Sequence, residues 1–310
     1  MHKEAHIAGI AFSIIFGFTF MFSKTALSYV TPIGLIAYRF MTAFLVFEIL
    51  RRLKVLTVRF ERAHLQDLLM VALLQPVLYF LLETFGLDLT TSAEAGMMIA
   101  LIPIFTTILG SLILREKPKW IQVPFILMSV GGIILIQIFK MGSGLDMAFL
   151  GFILLFGAVI SAALYNIASR KASTNLRPHE LTYFMMLVGA LVFNLIYAVQ
   201  LLAGGGLTTY ITNLYHIELL VPILYLGTIA SLGGFFLVNY ALSRLEAHVI
   251  SVYANFATIV AVTAGAVFLN ETLEFYHYIG GAMIVIGVYG TVRLNRGKGR
   301  RSKRLFNRQK

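Results

Sequence analysis

The chain has 310 residues, 59% of them hydrophobic and only 13% charged, with a mean hydropathy of +0.85 and a formal net charge of +11. Soluble domains carry roughly 45–50% apolar and about 25% charged residues, so this chain has too little polar surface to cover a water-facing body. Composition therefore points to a bilayer and excludes a cytosolic enzyme, a disordered chain and a collagen-like one; zero cysteines exclude disulfides, thiol chemistry and Cys-ligated zinc.

A membrane-crossing helix needs about 20 mainly apolar residues to span ~30 Å of hydrocarbon. In chain order ten stretches qualify, roughly 6–29, 33–50, 65–87, 94–114, 120–139, 149–169, 180–203, 218–242, 248–269 and 276–294. The first is longer than a signal peptide's apolar region, and no small-x-small site precedes the second, so it is expected to be a retained helix. Breakers sit in the short connections: Pro32 after the first span, Lys117-Pro118 after the fourth, Gly204-Gly205-Gly206 after the seventh. Continuous apolar runs of this length predict helices rather than the alternating strands of a barrel. No connection is long enough to hold a soluble domain.

Basic residues set the orientation. With the N-terminus inside, one face receives Lys3; Arg51, Arg52, Lys54, Arg59 and Arg62; Arg115, Lys117 and Lys119; Arg170, Lys171 and Arg177; Arg244; and the nine basic residues of the tail, 22 of 25 in all. The opposite face holds Lys140, with acidic residues such as Asp88, Asp146 and Glu274. Both termini are therefore expected in the cytoplasm of a cell with the chain in its inner or plasma membrane. The tail 295–310 reads as a solvated topology anchor touching anionic headgroups, not as a nucleic-acid arm.

Displacing the chain by 155 residues aligns spans 3–5 with spans 8–10 without a gap, pairing Ile104 with Ile259, Gly110 with Gly265, Glu116 with Glu271, Met128 with Met283 and Gly132 with Gly287. A displacement of 146 pairs Lys24 with Arg170 and Pro32 with Pro178. The expected fold is thus all-α and polytopic, ten transmembrane helices as two five-helix repeats, 1–140 and 141–294, followed by the basic tail. A five-span unit reverses its orientation on duplication, so the repeats are inverted, an arrangement that permits alternating access around a midplane site.

The segment Phe16-Gly-Phe-Thr-Phe-Met-Phe-Ser-Lys24, followed by Pro32 and Tyr38-Arg39-Phe40, resembles the opening of an EamA domain. Ala100-Leu-Ile-Pro-Ile-Phe105 through Leu114-Arg-Glu116 resembles its fourth-helix motif, and Leu269-Asn-Glu271 with Ile279-Gly280-Gly281 and Gly287 resembles the same motif in a second copy. Phe16 stands where Trp is common, and Thr258 where the first copy has Pro103. The resemblance covers the chain up to the tail and implies the drug/metabolite transporter superfamily, whose members move small metabolites such as amino acids, nucleosides or sugar phosphates. It also implies a central pocket built mainly from helices 1, 3, 4, 6, 8 and 9.

Ionisable groups inside spans are rare because each costs at least ~2.5–3.5 kcal/mol at the bilayer centre. Lys24, Arg39 and Glu83 are expected at similar depths, with Lys24 or Arg39 receiving a substrate carboxylate or phosphate and Glu83 holding the other cation or a proton. The bland counterpart is a structural Glu83–Lys24 pair with Arg39 reaching headgroups. Uncharged polar residues complete the candidate substrate-binding set: Thr19, Lys24, Glu83, Thr84, Tyr165, Asn166, Asn239, Tyr253 and Asn255. The repeat matches Thr84 with Asn239 and Thr19 with Tyr165; their alternative role is helix–helix hydrogen bonding. Pro76 and Pro103 are expected to kink helices 3 and 4 and are candidate gate hinges. Gly131-Gly132 and Gly280-Gly281 read as packing sites, or as the seam of a homodimer.

No zinc-protease, metal-pair or phosphate-loop signature occurs. The reading is a secondary transporter, with no cofactor, moving small polar or amphipathic metabolites, amino acids or related compounds first, outward by family analogy. A coupling proton or an exchanged substrate would drive uphill transport. Rival readings are an intramembrane enzyme acting on a lipid-soluble substrate and a non-transporting membrane sensor.

Overall fold

The computed structural model describes residues 3–58, 64–113, 120–140, 147–172, 176–204, 206–234, 237, 241 and 247–294. All regular structure among them is helical. The first two crossings are α1 (Lys3–Leu27) and α2 (Pro32–Arg52). Thr31 starts α2: its hydroxyl accepts the Gly34 N–H at 3.2 Å, and Pro32 occupies the first turn, where a missing N–H leaves nothing unpaired.

The third crossing is broken. Helices α3 (Leu65–Ala72) and α4 (Tyr79–Asp88) are joined by a π-helical segment, Leu73–Leu78, in which Gln75 leaves helical space at φ −148°, ψ 115°. Pro76 follows it, and the Leu74 carbonyl accepts both the Tyr79 N–H and, at 2.8 Å, the Ser161 hydroxyl of the sixth crossing. The fourth crossing is also split, into α5 (Ser92–Ile99) and α6 (Ile102–Ile113). Its break precedes Pro103, which sits in the first turn of α6, the position in a helix that tolerates proline best. Tighter bonds close the joint, Leu101 N–H to Met98 O at 3.0 Å and Ile104 N–H to Leu101 O at 2.9 Å.

Then follow α7 (Val123–Lys140), α8 (Met147–Ala172), α9 (Pro178–Gly204), the short α10 (Thr208–Thr212) and α11 (Ile217–Leu224). Helix α11 runs into a second π-helical segment, Tyr225–Gly234, and the chain ends in α12 (Ala247–Phe268) and α13 (Phe275–Leu294). Eight helical stretches among the described residues are long and apolar enough to cross a membrane. The two remaining expected spans, 248–269 and 276–294, coincide with α12 and α13. Bulky apolar side chains such as Leu112, Leu127, Leu195 and Leu202 stand exposed on the outside of the bundle. In lipid, that outward face is as well solvated as the core. The protein is an all-α polytopic membrane protein.

Helix α1 packs on α12 and on Tyr225–Gly234; α2 on α9; α4 and α6 on α8; α5 on α12; α7 on α13. One apolar core lies among α2, α4, α9 and α11 around Phe40, Phe193 and Leu226, and a second among α5, α7, α8, α12 and α13 around Leu101, Leu155 and Ile284. The Gln122 amide, just before α7, donates to Thr291 O near the end of α13 at 2.7 Å, which places the C-terminal end of α13 beside the start of α7. The glycines weighed as a dimer seam are used inside the chain. A side chain at Gly280 would lie 2.7 Å from the Gly132 carbonyl, so α7 and α13 touch backbone to backbone there. Gly280→Leu should therefore lower the thermal unfolding midpoint in detergent, with an overpacking penalty of about 1–3 kcal/mol. Gly110→Leu, where nothing lies within 4 Å, should leave the midpoint unchanged.

Candidate functional site

Two groups of polar side chains stand out, one at the end of the bundle opposite the start of α1 and the end of α13 and one in its interior. At the end, the turn between α4 and α5 is held from both sides. Lys24, near the end of α1, donates to the carbonyls of Leu87 at 2.8 Å, Asp88 at 3.0 Å and Thr90 at 2.6 Å. The last carbonyls of a helix lack intrahelical partners and carry the negative end of its dipole, so an ammonium is the natural cap. Glu271, just past α12, caps the opposite polarity: its carboxylate accepts Ser92 N–H at 2.7 Å, Ala93 N–H at 3.0 Å and the Ser92 hydroxyl at 3.0 Å. Thr91 and Glu94 add a capping box on the same helix start. His277 accepts the Glu274 N–H on Nδ1 at 3.0 Å, which leaves its Nε2–H to donate to Glu94 at 3.3 Å. A cleft of about 580 Å³ opens beside this clasp, lined by Lys24, Ser28, Tyr29, Asp88, Thr91 and Glu271 among others.

The interior group joins α2 to α4. Arg39 is 9% exposed, and its guanidinium lies over the Phe80 ring, 4.5 Å from the centroid. Its Nε is buried without a hydrogen-bond partner, and among the described residues Arg39 makes no hydrogen bond or ion pair. Glu83 is 5% exposed and accepts the Thr84 hydroxyl at 3.1 Å. Glu83 lies one helical turn beyond Tyr79 and Phe80 and so shares their face of α4. Among the described residues no ion pair joins Arg39 to Glu83. The Tyr225–Gly234 segment closes on α2 at this level: a side chain at Gly227 would lie 2.6 Å from Thr42 and 3.1 Å from the Arg39 carbonyl.

The candidate set read from the sequence is thus dispersed. Glu83 and Thr84 are together in the interior, with Arg39 in place of Lys24, which belongs to the clasp. Thr19 donates to Phe16 O within its own helix at 2.6 Å. Asn166 is exposed and donates to Thr106 at 3.1 Å, and Tyr165 packs against the small core around Leu68, Val71 and Met185. The Tyr253 hydroxyl pairs with His6 Nδ1 at 2.7 Å, near the start of α1. Asn239 and the side chain of Asn255 lie outside the described residues. Tyr79 and Phe80 were not singled out in the sequence, because aromatic residues are abundant on every span. Among the described residues no group of three or more His, Asp or Glu side chains could hold a metal ion.

The EamA-like transporter family model matches the chain twice, at residues 3–138 and 149–293. Uncharacterized transporter YcxC of Bacillus subtilis (strain 168) is 38% identical over 93% of this chain and 92% of its own. A probable amino-acid metabolite efflux pump of Escherichia coli (strain K12) is 25% identical over 93% of this chain and 95% of its own. One solved crystal structure superposes with a TM-score of 0.67 over 95% of this chain and 100% of that chain; at 16% identity this likeness concerns the fold.

Removing either half of the clasp should loosen the α4–α5 turn. Glu271→Ala strands the Ser92 and Ala93 amides, and Lys24→Met removes the ammonium from the Asp88 and Thr90 carbonyls, each loss about 1–3 kcal/mol. Amide hydrogen exchange over residues 87–93 should accelerate by about 10–100-fold in both variants.

Proposed function

The chain belongs to the EamA-like transporter family, and from that premise we propose how it carries out the secondary active transport of small metabolites. Membership of a transport family sets aside the reading as an intramembrane enzyme. In our reading the chain crosses the membrane ten times, as two inverted five-helix halves, 1–140 and 141–294, that rock to expose a shared site to either side in turn. Three observations support this. The family model matches once in each half. The π-helical break at Leu73–Leu78 falls, after the displacement of 155 residues, inside the break at Tyr225–Gly234. The packing partners also exchange: α1 lies on α12 as α8 lies on α6, and α1 lies on α11 as α8 lies on α3.

The broken helices serve as hinges at Pro76 and ahead of Pro103, and the Lys24–Glu271 clasp is a gate at one mouth. The substrate site centres on Glu83 and Thr84 with Arg39. Both termini and the basic tail lie in the cytoplasm, as the distribution of Lys and Arg supports. The cargo is a small polar or amphipathic metabolite, an amino acid or related compound first, moved outward. The relative whose name describes an amino-acid metabolite efflux pump supports this choice. A proton or an exchanged substrate supplies the driving force.

The observation that carries the reading is the pair of corresponding helix breaks flanking buried charge. Counterflow in proteoliposomes, with a labelled library of amino acids and related metabolites, should show unchanged substrate accumulating inside preloaded vesicles. Glu83→Gln should reduce that flux at least about tenfold, because it removes a charge that meets the substrate inside a low-dielectric site. Binding without flux would favour the sensor reading. The cysteine-free sequence makes the orientation directly readable: a single cysteine placed at Ser302 should resist a membrane-impermeant maleimide in intact cells, and one at Gly206 should react.

A further inference from the structure

The connection between α9 and α11 carries an inference about the lipid surface, which goes beyond the transport reading and needs only that the chain lies in a bilayer. Helix α9 ends in a sharp turn: Gly206, in the left-handed region at φ +76°, donates its N–H to the Leu201 carbonyl at 2.7 Å. The chain then coils again through α10 (Thr208–Thr212) and a 3-10 turn, Asn213–Tyr215, before it enters α11 at Ile217. At ~100° per residue this short helix is amphipathic. Tyr210, Leu214, Leu207, Ile211 and Tyr215 follow one another round one side, and Thr208, Thr209, Thr212 and Asn213 take the other.

The apolar side is itself divided. Its inner part is built into the bundle, where Tyr210 and Leu214 pack on the core around Phe40 and Phe193. Tyr38 of α2 donates to the Tyr210 carbonyl at 2.8 Å, the Tyr210 hydroxyl to Asn194 of α9 at 2.7 Å, and the Asn213 amide to the Tyr197 hydroxyl at 3.3 Å. These bonds fix the segment against the ends of two crossings. The outer part is open: Leu207, Ile211 and Tyr215 are 53%, 60% and 81% exposed. Along the chain this stripe follows the exposed Val199 and Leu202 of α9 and leads to the exposed Ile217 and Val221 of α11, so it prolongs faces that meet lipid.

We propose that residues 207–217 form an interfacial strap lying in the plane of the membrane surface, with Leu207, Ile211 and Tyr215 among the upper acyl chains and Thr208 and Thr212 in the hydrated headgroups. Tyrosine is a favoured residue at that boundary, its ring in lipid and its hydroxyl in water. Residues 204–217 contain no Lys or Arg, so docking rests on apolar area and is indifferent to headgroup charge. Three side chains also offer far less than the roughly 800 Å² per partner of a stable protein interface, which favours lipid over a second copy of the chain. The strap seats lipid beside the outer cleft: His216 at its end stacks on Tyr29, one wall of that cleft, at 6.4 Å.

Trp120 is the chain's single tryptophan, so fluorescence tests the strap directly. In a Trp120→Phe background, Ile211→Trp and Thr212→Trp each place one fluorophore, on the apolar and the polar side respectively. The full-length protein is reconstituted in phosphatidylcholine vesicles, with and without phosphatidylglycerol. Acyl chains brominated just below the headgroup should quench Ile211→Trp at least about twofold more than chains brominated near their ends, and at least about twofold more than they quench Thr212→Trp. Aqueous iodide should quench Thr212→Trp instead, and both patterns should be the same in the two lipid mixtures. Leu207→Trp repeats the outward measurement if Ile211→Trp does not fold. The inference falls if iodide quenches both sides alike, which puts the strap in water, or if the deeper bromines quench Ile211→Trp more strongly, which puts it in a span. It also falls if Ile211→Trp is shielded from bromine and iodide together, which points to a second copy over the stripe, or if quenching requires phosphatidylglycerol. None of these outcomes bears on counterflow, so strap and transport stand or fall separately.

Discussion

The structure depends on one requirement: every backbone carbonyl and amide that a helix leaves open inside or at the edge of the bilayer must find a partner, because hydrocarbon offers none. An unbroken helix meets the requirement by itself. This chain breaks its helices, at Leu73–Leu78, at Ala100–Leu101 and at Tyr225–Gly234, and each interruption is closed from nearby. Ser161 reaches the Leu74 carbonyl, tight turn bonds close the joint before Pro103, and the Ser231 hydroxyl returns to the Leu226 carbonyl at 2.8 Å. At the α4–α5 turn, where a helix end meets a helix start, an ammonium and a carboxylate divide the work by polarity, Lys24 on carbonyls and Glu271 on amides. Segments repaired by side chains of other helices can change partners when those helices move, which continuous helices cannot.

Against that background of satisfied polar groups, Arg39 and Glu83 are conspicuous. Glu48, by contrast, accepts from Arg51, Arg52 and Tyr183. A charge within a span costs at least ~2.5–3.5 kcal/mol, and a partner within contact distance would offset part of it. The protein instead packs the guanidinium against an aromatic face and keeps the carboxylate on a neighbouring helix.

The clasp and the buried carboxylate share one helix, α4. Lys24 grips the end of α4, and Glu83 lies on the same helix within its last two turns, beyond the π-helical segment. The helix that carries the Glu83 carboxylate is the helix whose end Lys24 holds.

Class, helical architecture, the breaks at Pro76 and ahead of Pro103 and family membership were legible in the sequence, because each is local: hydropathy over about 20 residues, prolines within spans, and short motifs such as Leu269-Asn-Glu271; the break at Tyr225–Gly234, which contains no proline, was not. Rarity of charge also marked Lys24, Arg39 and Glu83 as the residues to watch. Which of them lie together was decided by tertiary structure alone. Lys24 and Arg39 are both cations expected at similar depth, and hydropathy is blind to helix rotation. Only the packed bundle turns Lys24 onto backbone carbonyls at the end of α4 and Arg39 onto Phe80 beside Glu83, since partners for a buried charge come from helices distant in the chain, and the rotation of each helix is set by the neighbours it packs against.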